Sequence, residues 1–484
     1  MTDSTWPLCT HAADQALIAS EHGAITAGDF VARARALAAH LPVGAPVLNV
    51  SQSHFGFSLG LAAALLRGCI SLMPPNFAPE TVRLMQRVAP QAQVDLHHWS
   101  GRQATGALAH VAPGDIVCLH DGGDHPADLP TLDLRPWLST RPQPCTGPFT
   151  MPRIAGDQLA ALVFTSGSTG EPSGHRKTWG KLVLNARSAQ TRLAWAPGSL
   201  VATVPPQHMY GFESSVLLAL HGGHAMWHGK PMLPADIAHA LAAAPAPRCL
   251  ISTPWHLSLV LEALDNGLSL PPVADVLSAT APLSGELAQR IEDRLGAPVH
   301  EIYGSTETGQ IATHRTVRSS DWQLLDGVRL SLEHQDGEDV AWVSDGHIEG
   351  RVPLADMVTQ LDDGHFRLIG RRADMVNIAG KRHSIAALNA IVQRLPGVKD
   401  GAFFDPGNQP DAAGADTQVQ RLCAFVVAPG LDAKAVTQAL RAHIDPVFLP
   451  RPLWLLDSLP RNATSKLPRS ALQALHARLT QRPG

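Results

Sequence analysis

Apolar and polar positions along this chain switch repeatedly between a helical and a strand period. Phe30, Ala34, Leu37, Ala38 and Leu41 recur at helical spacing, which predicts a helix over 29–41 with Asp29 as its cap. A strand over 45–50, a helix over 56–66, a strand over 69–73 and a helix over 79–88 follow, and that alternation predicts βαβ winding. Between Asp124 and Pro152 prolines thicken and the period fades, so this stretch reads as a surface linker between two subdomains. The alternation resumes at Asp157 and runs through a helix beginning near Gly285 to a strand ending at Ile302. Residues 344–368 read as antiparallel, with turns at Asp345-Gly346 and Asp363-Gly364. A boundary is predicted at Gly370–Asp374. Beyond it, a helix over 384–395, a strand over 421–427, a helix over 433–444 and a strand over 453–456 make a small α+β unit, long enough for its own core. The expected fold class is therefore α/β: a large N-terminal domain, 1–370, of βα-wound subdomains with a small antiparallel patch, and an α+β C-terminal domain, 371–484.

Composition narrows the classes of function. With 484 residues, 45% apolar and 17% charged, the chain reads as a globular protein of more than one domain. A formal net charge of −4 gives no reason to expect nucleic-acid binding. Six cysteines occur without a Cys-x-x-Cys pair, which argues against a disulfide framework or zinc knuckle and for a reducing compartment. Residues 1–7 lack a basic region followed by an apolar core, and the apolar stretch around Leu59–Leu66 is too short to span a bilayer. A soluble, cytoplasmic protein is expected. The 24 histidines form no His-Glu-x-x-His, and the adjacent pair His97-His98 points to opposite faces of a strand, so they are read as solvated or core histidines.

Candidate chemistry is concentrated in a few loops. Leu159–Phe164 reads as a buried strand and runs into Thr165-Ser166-Gly167-Ser168-Thr169-Gly170. Glycine lets such a loop curl its N–H groups around phosphate oxygens, the hydroxyls add further donors, and His175, Arg176 and Lys177 stand downstream. It is not a P-loop, because no Gly-Lys-Ser/Thr follows at the required spacing. Tyr303-Gly304-Ser305-Thr306-Glu307 sets a hydroxyl beside a carboxylate after a short apolar strand, a pair suited to a phosphate oxygen and Mg²⁺. Asp356 and Arg371, fifteen positions apart, are an acid and a base that can grip ribose hydroxyls. Asn462-Ala463-Thr464-Ser465-Lys466 presents a lysine in a loop of small residues.

In order and spacing these segments resemble the adenylate-forming superfamily of acyl-CoA synthetases, luciferases and nonribosomal peptide synthetase adenylation domains. The family's glycine-rich loop ends in Pro-Lys-Gly; here Ser173 replaces the lysine. Tyr-Gly-x-Thr-Glu is matched in full at 303–307. Ser278-Ala279-Thr280-Ala281-Pro282-Leu283 resembles the adenine-side loop, and Pro205–Gly211 the motif whose histidine abuts the acyl pocket. The run Glu171-Pro172-Ser173-Gly174-His175-Arg176-Lys177-Thr178-Trp179 further resembles stand-alone aryl acid:acyl carrier protein ligases of aryl-polyene and xanthomonadin-type pigment clusters.

The resemblance implies ATP and Mg²⁺, a carboxylic acid substrate such as a hydroxybenzoate or hydroxycinnamate, and a phosphopantetheine thiol acceptor on an acyl carrier protein or CoA. It implies that Thr165–Gly170 hold the β/γ-phosphates, with Lys177 or Arg176 supplying the charge missing at Ser173. Thr306 falls to the α-phosphate, Glu307 to the metal, and Thr280, Ala281, Pro282 and Tyr303 to the nucleotide. Asp356 and Arg371 fall to the ribose, and Lys466 to the reacting carboxylate and α-phosphate. His208, Met209, Phe212, Ser278, Ala279 and Gly304 are the implied acyl pocket, which also suits a medium aliphatic chain. Gly380, Lys381 and Arg382 are implied to flank the phosphopantetheine path. The C-terminal domain is implied to be a lid that turns between half-reactions, with Ala373 or Asp374 at the hinge. An acyl-CoA synthetase, a catalytically inactive nucleotide-binding regulator and a luciferase-like oxidase stand as alternatives.

Overall fold

The computed structural model describes residues 4–74, 76–77, 79–88, 108, 111, 115–141, 149–165, 173–335, 338–362, 364–371, 375–378, 381–406, 421–461 and 467–480. It divides into two compact units. The first holds 1–330 and 343–352, the second 331–342 and 353–484. The contact division therefore falls earlier than Gly370, because the antiparallel strands leading up to that glycine group with the C-terminal residues.

Two wound sheets build the first unit. One runs in the order Ser173–Thr178, Leu159–Thr165, Ile70–Met73, Pro46–Asn49, Val117–His120, Thr131–Asp133. Its last five strands are mutually parallel, and Ser173–Thr178 closes one edge antiparallel to its neighbour. The second sheet has a parallel centre, Val299–Ser305, Asp275–Ser278, Arg248–Ser252, Ser199–Ala202, Ala225–Trp227 and Ala16–Ser20, in that order. Gly309–Arg315 extends it antiparallel beyond Val299–Ser305. Strands buried on both faces need helices on both sides, so they read as apolar runs rather than alternations. The helix His54–Leu66 is apolar nearly all round and buried on every side but its last residue, as such a central position requires. Ser53 caps it by accepting from the Gly56 N–H.

Sequence periodicity locates most of these elements. The helix Pro79–Val88 matches at both ends, and the Gly285–Leu295 helix begins where expected, capped by Ser284. Several details differ. The helix expected over 29–41 is Ala27–Ala38, and its cap is Thr26. Asp29 instead forms a buried bidentate pair with Arg33, at 2.7 and 2.8 Å. The same guanidinium donates to the carbonyls of Trp137, Ser139 and Arg141. The expected linker is thus in part structural: Thr131–Asp133 is an edge strand, and 137–141 is held by Arg33. The strand expected to end at Ile302 continues to Ser305, carrying the chemical motif on its end.

The second unit has its own core. The strands Asp400–Phe404, Cys423–Val427 and Leu453–Leu455 form a sheet, antiparallel then parallel. The helices Ile385–Gln393 and Ala433–Leu440 bury Leu388, Val392, Val436 and Leu440 with Phe403 and Val426. Leu472 and Leu475 of the helix Arg469–Thr480 join Phe404, Phe425 and Val427 in a separate cluster. Among the described residues no helix is long and apolar enough to cross a membrane.

Candidate active site

The chemical motifs sit where open wound sheets place their ligands, at the carboxyl ends of strands. Thr165 ends the Leu159–Thr165 strand and pairs in register with Ser173, so the glycine-rich loop joins two adjacent antiparallel strands. Ser166, Gly167, Ser168, Thr169 and Gly170 lie outside the described residues. Ser278 ends its strand and leads into the 279–283 loop. There Thr280 has φ +78°, a left-handed conformation that costs a non-glycine residue about 1–3 kcal/mol and clusters at functional sites. The Leu283 N–H donates to Glu301 Oε1 at 3.1 Å, and His314 Nε2 lies 2.8 Å from Glu301 Oε2. Glu301, missed in the sequence, thus ties the 279–283 loop to the Tyr303 strand. Tyr303 rests against Trp322 at 5.5 Å between ring centroids, and His314 stacks on the same indole at 3.9 Å.

Thr306, Glu307 and Thr308 form the turn between Val299–Ser305 and Gly309–Arg315. Ser305 and Thr308 close it: the Ser305 N–H donates to Thr308 Oγ1 at 3.0 Å, and the Thr308 N–H to Ser305 Oγ at 3.3 Å. Gly304 is dictated by its neighbour, since a Cβ there would lie 2.1 Å from the Gly309 carbonyl oxygen. The Glu307 side chain is 38% exposed, with His175 Nε2 at 3.6 Å. Partial burial pushes its carboxyl up, but the Ser305 hydroxyl, its own amide, His175 and Lys177 together hold it below the usual carboxylate range. An ionised, accessible carboxylate flanked by two hydroxyls is a hard oxygen donor set of the kind Mg²⁺ takes.

Lys177 is turned inward rather than out into solvent. It stands in the extended strand Ser173–Thr178, only 5% exposed, and its Nζ donates to the Glu307 carbonyl at 2.8 Å. Pairing with Leu159–Thr165 is in register from Ser173 through Lys177. Arg176, one residue earlier, is exposed.

The implied acyl residues separate into two groups. Phe212 is fully enclosed and packs edge-to-face on Phe57 at 5.9 Å. Ser278 is equally enclosed, and Met209 and Ala279 nearly so. His208, at the start of the Met209–Gly211 turn, and Gly304 keep open surface. Tyr210 was not singled out by sequence. Its hydroxyl lies 3.0 Å from the carbonyls of both Ser252 and Leu277, so it ties together the ends of two adjacent parallel strands beside His208.

In the second unit Asp356 and Arg371 are register partners across the hairpin formed by Asp356–Gln360 and His365–Arg371. Fifteen residues of sequence thus return the chain to the point where an acid and a base stand opposite each other. Lys466, Ala373, Asp374 and Gly380 lie outside the described residues. The lysine loop starts from a fixed point, because Arg461 makes a bidentate contact with Asp400 at 2.9 and 2.7 Å.

Comparison with known proteins agrees with this fold. The profile described as AMP-binding enzyme matches residues 9–336. The L-proline--[L-prolyl-carrier protein] ligase of Streptomyces coelicolor is 24% identical over 94% of this chain and 92% of its own length. A 4-coumarate--CoA ligase of Halorhodospira halophila is 30% identical over 65% of this chain and 76% of its own. Among solved structures, the O-succinylbenzoate coenzyme A synthetase of Bacillus subtilis in complex with AMP superposes with a TM-score of 0.74 at 18% identity, covering 97% of this chain and 98% of that one. The same synthetase in complex with ATP and magnesium gives 0.73 at 18% identity, over 94% and 96% of the two chains.

Proposed function

The chain belongs to the AMP-binding enzyme family, and from that premise we propose that it joins a hydroxylated aryl acid to the phosphopantetheine thiol of an acyl carrier protein. It is an adenylate-forming acid–thiol ligase. A carboxylate is already ionised at neutral pH, so one of its oxygens attacks the α-phosphorus of ATP without a general base. The bond from that phosphorus to the bridging oxygen breaks, and pyrophosphate leaves. The acceptor thiolate then attacks the acyl carbon, the carbon–oxygen bond to phosphate breaks, and AMP leaves while the thiol proton passes to solvent.

Both steps bring anions together, so catalysis is mainly positioning and charge neutralisation. Glu307 and the Thr306 hydroxyl are the groups that would hold Mg²⁺ and an α-phosphate oxygen, and the metal supplies charge neutralisation on the polyphosphate. Thr165–Gly170 take the remaining phosphates, Tyr303 and Thr280–Pro282 the adenine side, Asp356 and Arg371 the ribose. Lys466 serves the carboxylate and α-phosphate. The single observation that carries this reading is the ionised, accessible Glu307 carboxylate on its closed 306–308 turn.

Glu307→Gln should raise the half-saturating Mg²⁺ concentration and slow adenylate formation while leaving the thermal midpoint close to wild type, since one hard anionic ligand is lost from a half-exposed position. Magnesium titration of pyrophosphate exchange checks this; unchanged metal dependence would assign the ion to another carboxylate.

The aryl acid and the carrier protein rest on the 171–179 run and on the relatives. One relative is named for a prolyl-carrier protein and another for 4-coumarate. ATP–pyrophosphate exchange over benzoates, cinnamates and fatty acids, followed by mass spectrometry of CoA and carrier-protein products, tests the assignment. Strongest exchange with hydroxylated aryl acids and an acyl mass gain on the carrier protein are expected. A preference for fatty acids, or product on CoA alone, would replace it with acyl-CoA synthesis. No exchange with any acid, alongside intact nucleotide binding, would leave a regulator.

A further inference from the structure

Lys177 is the only buried lysine among the described residues, and a buried ammonium is unfavourable unless other groups compensate it. Its surroundings are acidic. Burial acts on it most strongly and holds its pKa below the usual lysine value, with Glu213, Glu349 and Glu307, in that order, pulling the other way. His347 and His175 lie in the same surroundings, and burial lowers both, His347 to about 4. Glu213 is itself buried. Burial pushes its carboxyl up, to about 8, with Lys177 and then the Gln310 amide pulling the other way.

These groups grip one short stretch of backbone. Lys177 holds the Glu307 carbonyl at 2.8 Å, and Glu213 Oε2 accepts from the Gln310 N–H at 3.1 Å. Asn185 donates to the Gln310 carbonyl at 3.1 Å, and the Gln310 side chain to Ser214 at 2.8 Å. Gly309, at φ +72°, leaves the space that Glu213 Oε1 occupies, since a Cβ there would meet that oxygen at 2.4 Å. Glu349 fixes the other end by accepting from the Thr178 N–H at 3.1 Å and its hydroxyl at 2.6 Å. An apolar side chain would fill the space of Lys177. Only a donor can hold the carbonyl, and only a cation also opposes the charge gathering above the turn.

Resting on the adenylation reading, we propose that Lys177, faced by Glu213, is a positioning residue for MgATP: its ammonium fixes the 306–308 turn through the Glu307 carbonyl and replaces from beneath the charge that Ser173 lacks. It touches neither nucleotide nor metal directly. The strand carrying the end of the glycine-rich loop is thereby fastened to the turn carrying Glu307, so the phosphate-binding and metal-binding elements keep one spacing.

The test compares Lys177→Met with Lys177→Met/Glu213→Gln, the latter removing the ammonium without leaving the buried Glu213 carboxyl facing an apolar side chain. Thermal melting, calorimetric MgATP binding and pyrophosphate-exchange kinetics are read on each. The double variant should melt higher than Lys177→Met yet bind MgATP about tenfold or more weaker than wild type, the scale of one lost hydrogen bond to a charged group. Its KM for ATP and its half-saturating Mg²⁺ should rise alike, and its KM for the acid should stay put. Lys177→Gln/Glu213→Gln, which restores a neutral donor, should recover part of the binding. Wild-type MgATP affinity in a folded double variant overturns the inference. So does failure of both double variants to fold, which would assign Lys177 to the core alone. Wild-type protein that exchanges pyrophosphate with no acid would instead overturn the adenylation reading, whatever the variants do.

Discussion

Lys466→Ala should cut adenylate formation about a hundredfold or more, the scale of deleting one group that stabilises transition-state charge. The carboxylate and the α-phosphate are both anionic as they approach, and negative charge shifts to the leaving pyrophosphate as the bond breaks. A lysine placed between the reacting groups offsets both. Arg461, just before the loop that carries it, is anchored by its bidentate pair with Asp400. Transfer from preformed acyl-adenylate to the thiol should be largely retained, because that step breaks the acyl carbon–oxygen bond and no anion approaches the α-phosphorus. Single-turnover measurement of each half-reaction separates the two. Equal loss in both would remove Lys466 from its assigned step and, with it, the division of labour between half-reactions.

The wound architecture was legible because its elements declare themselves locally. Runs such as Leu159–Phe164 are apolar through their length, and helices such as His54–Leu66 are apolar nearly all round. Elements defined by partners were not legible. Asp400–Phe404 is short and opens on Asp-Gly, and only its pairing with Cys423–Val427 makes it a strand. The hairpin of Met375–Ile378 and Lys381–Ser384 is missed for the same reason. Asp29 looked like a cap because it precedes an apolar stripe; Thr26 takes that place, freeing Asp29 for Arg33.

The candidate site was legible at its motifs and obscure at its supports. Tyr303–Glu307 could be read from residue types, since hydroxyl beside carboxylate is chemistry whatever surrounds it. Glu301 and Tyr210 act by holding backbone groups of distant strands, which no local pattern records. Lys177 illustrates the difference most clearly. A basic residue after a glycine-rich loop is ordinarily solvated, and its burial follows from facing inward on an edge strand towards residues 130 positions away. The available signal was composition at a distance: Glu213 lies in an apolar helical stretch, a carboxylate with no local partner, and such a residue calls for a buried cation elsewhere.

Gly304→Ala should slow adenylation about a hundredfold without removing a chemical group. The ideal Cβ falls 2.1 Å from the Gly309 carbonyl oxygen, 2.8 Å from its carbon and 2.9 Å from the Gln310 Cα. All three are backbone, so no side-chain rotation can relieve the overlap. The two strands must separate where the register shifts between Tyr303 and Gly304. The turn that closes on Ser305 and Thr308 then moves, and Glu307 with it. Overpacking of this kind costs about 1–3 kcal/mol in stability, and a displacement on the order of 1 Å at a positioned group costs about a hundredfold in rate. Activity should therefore fall further than stability does. Gly285→Ala is the control: it opens the Gly285–Leu295 helix with nothing within 4 Å of an added Cβ, and alanine there should leave activity unchanged and raise stability by about 0.5–1 kcal/mol. Melting curves and pyrophosphate exchange on both variants give the comparison. A Gly304→Ala enzyme with wild-type exchange would mean that the turn tolerates displacement, and that Glu307 is not held in place by the hairpin that carries it.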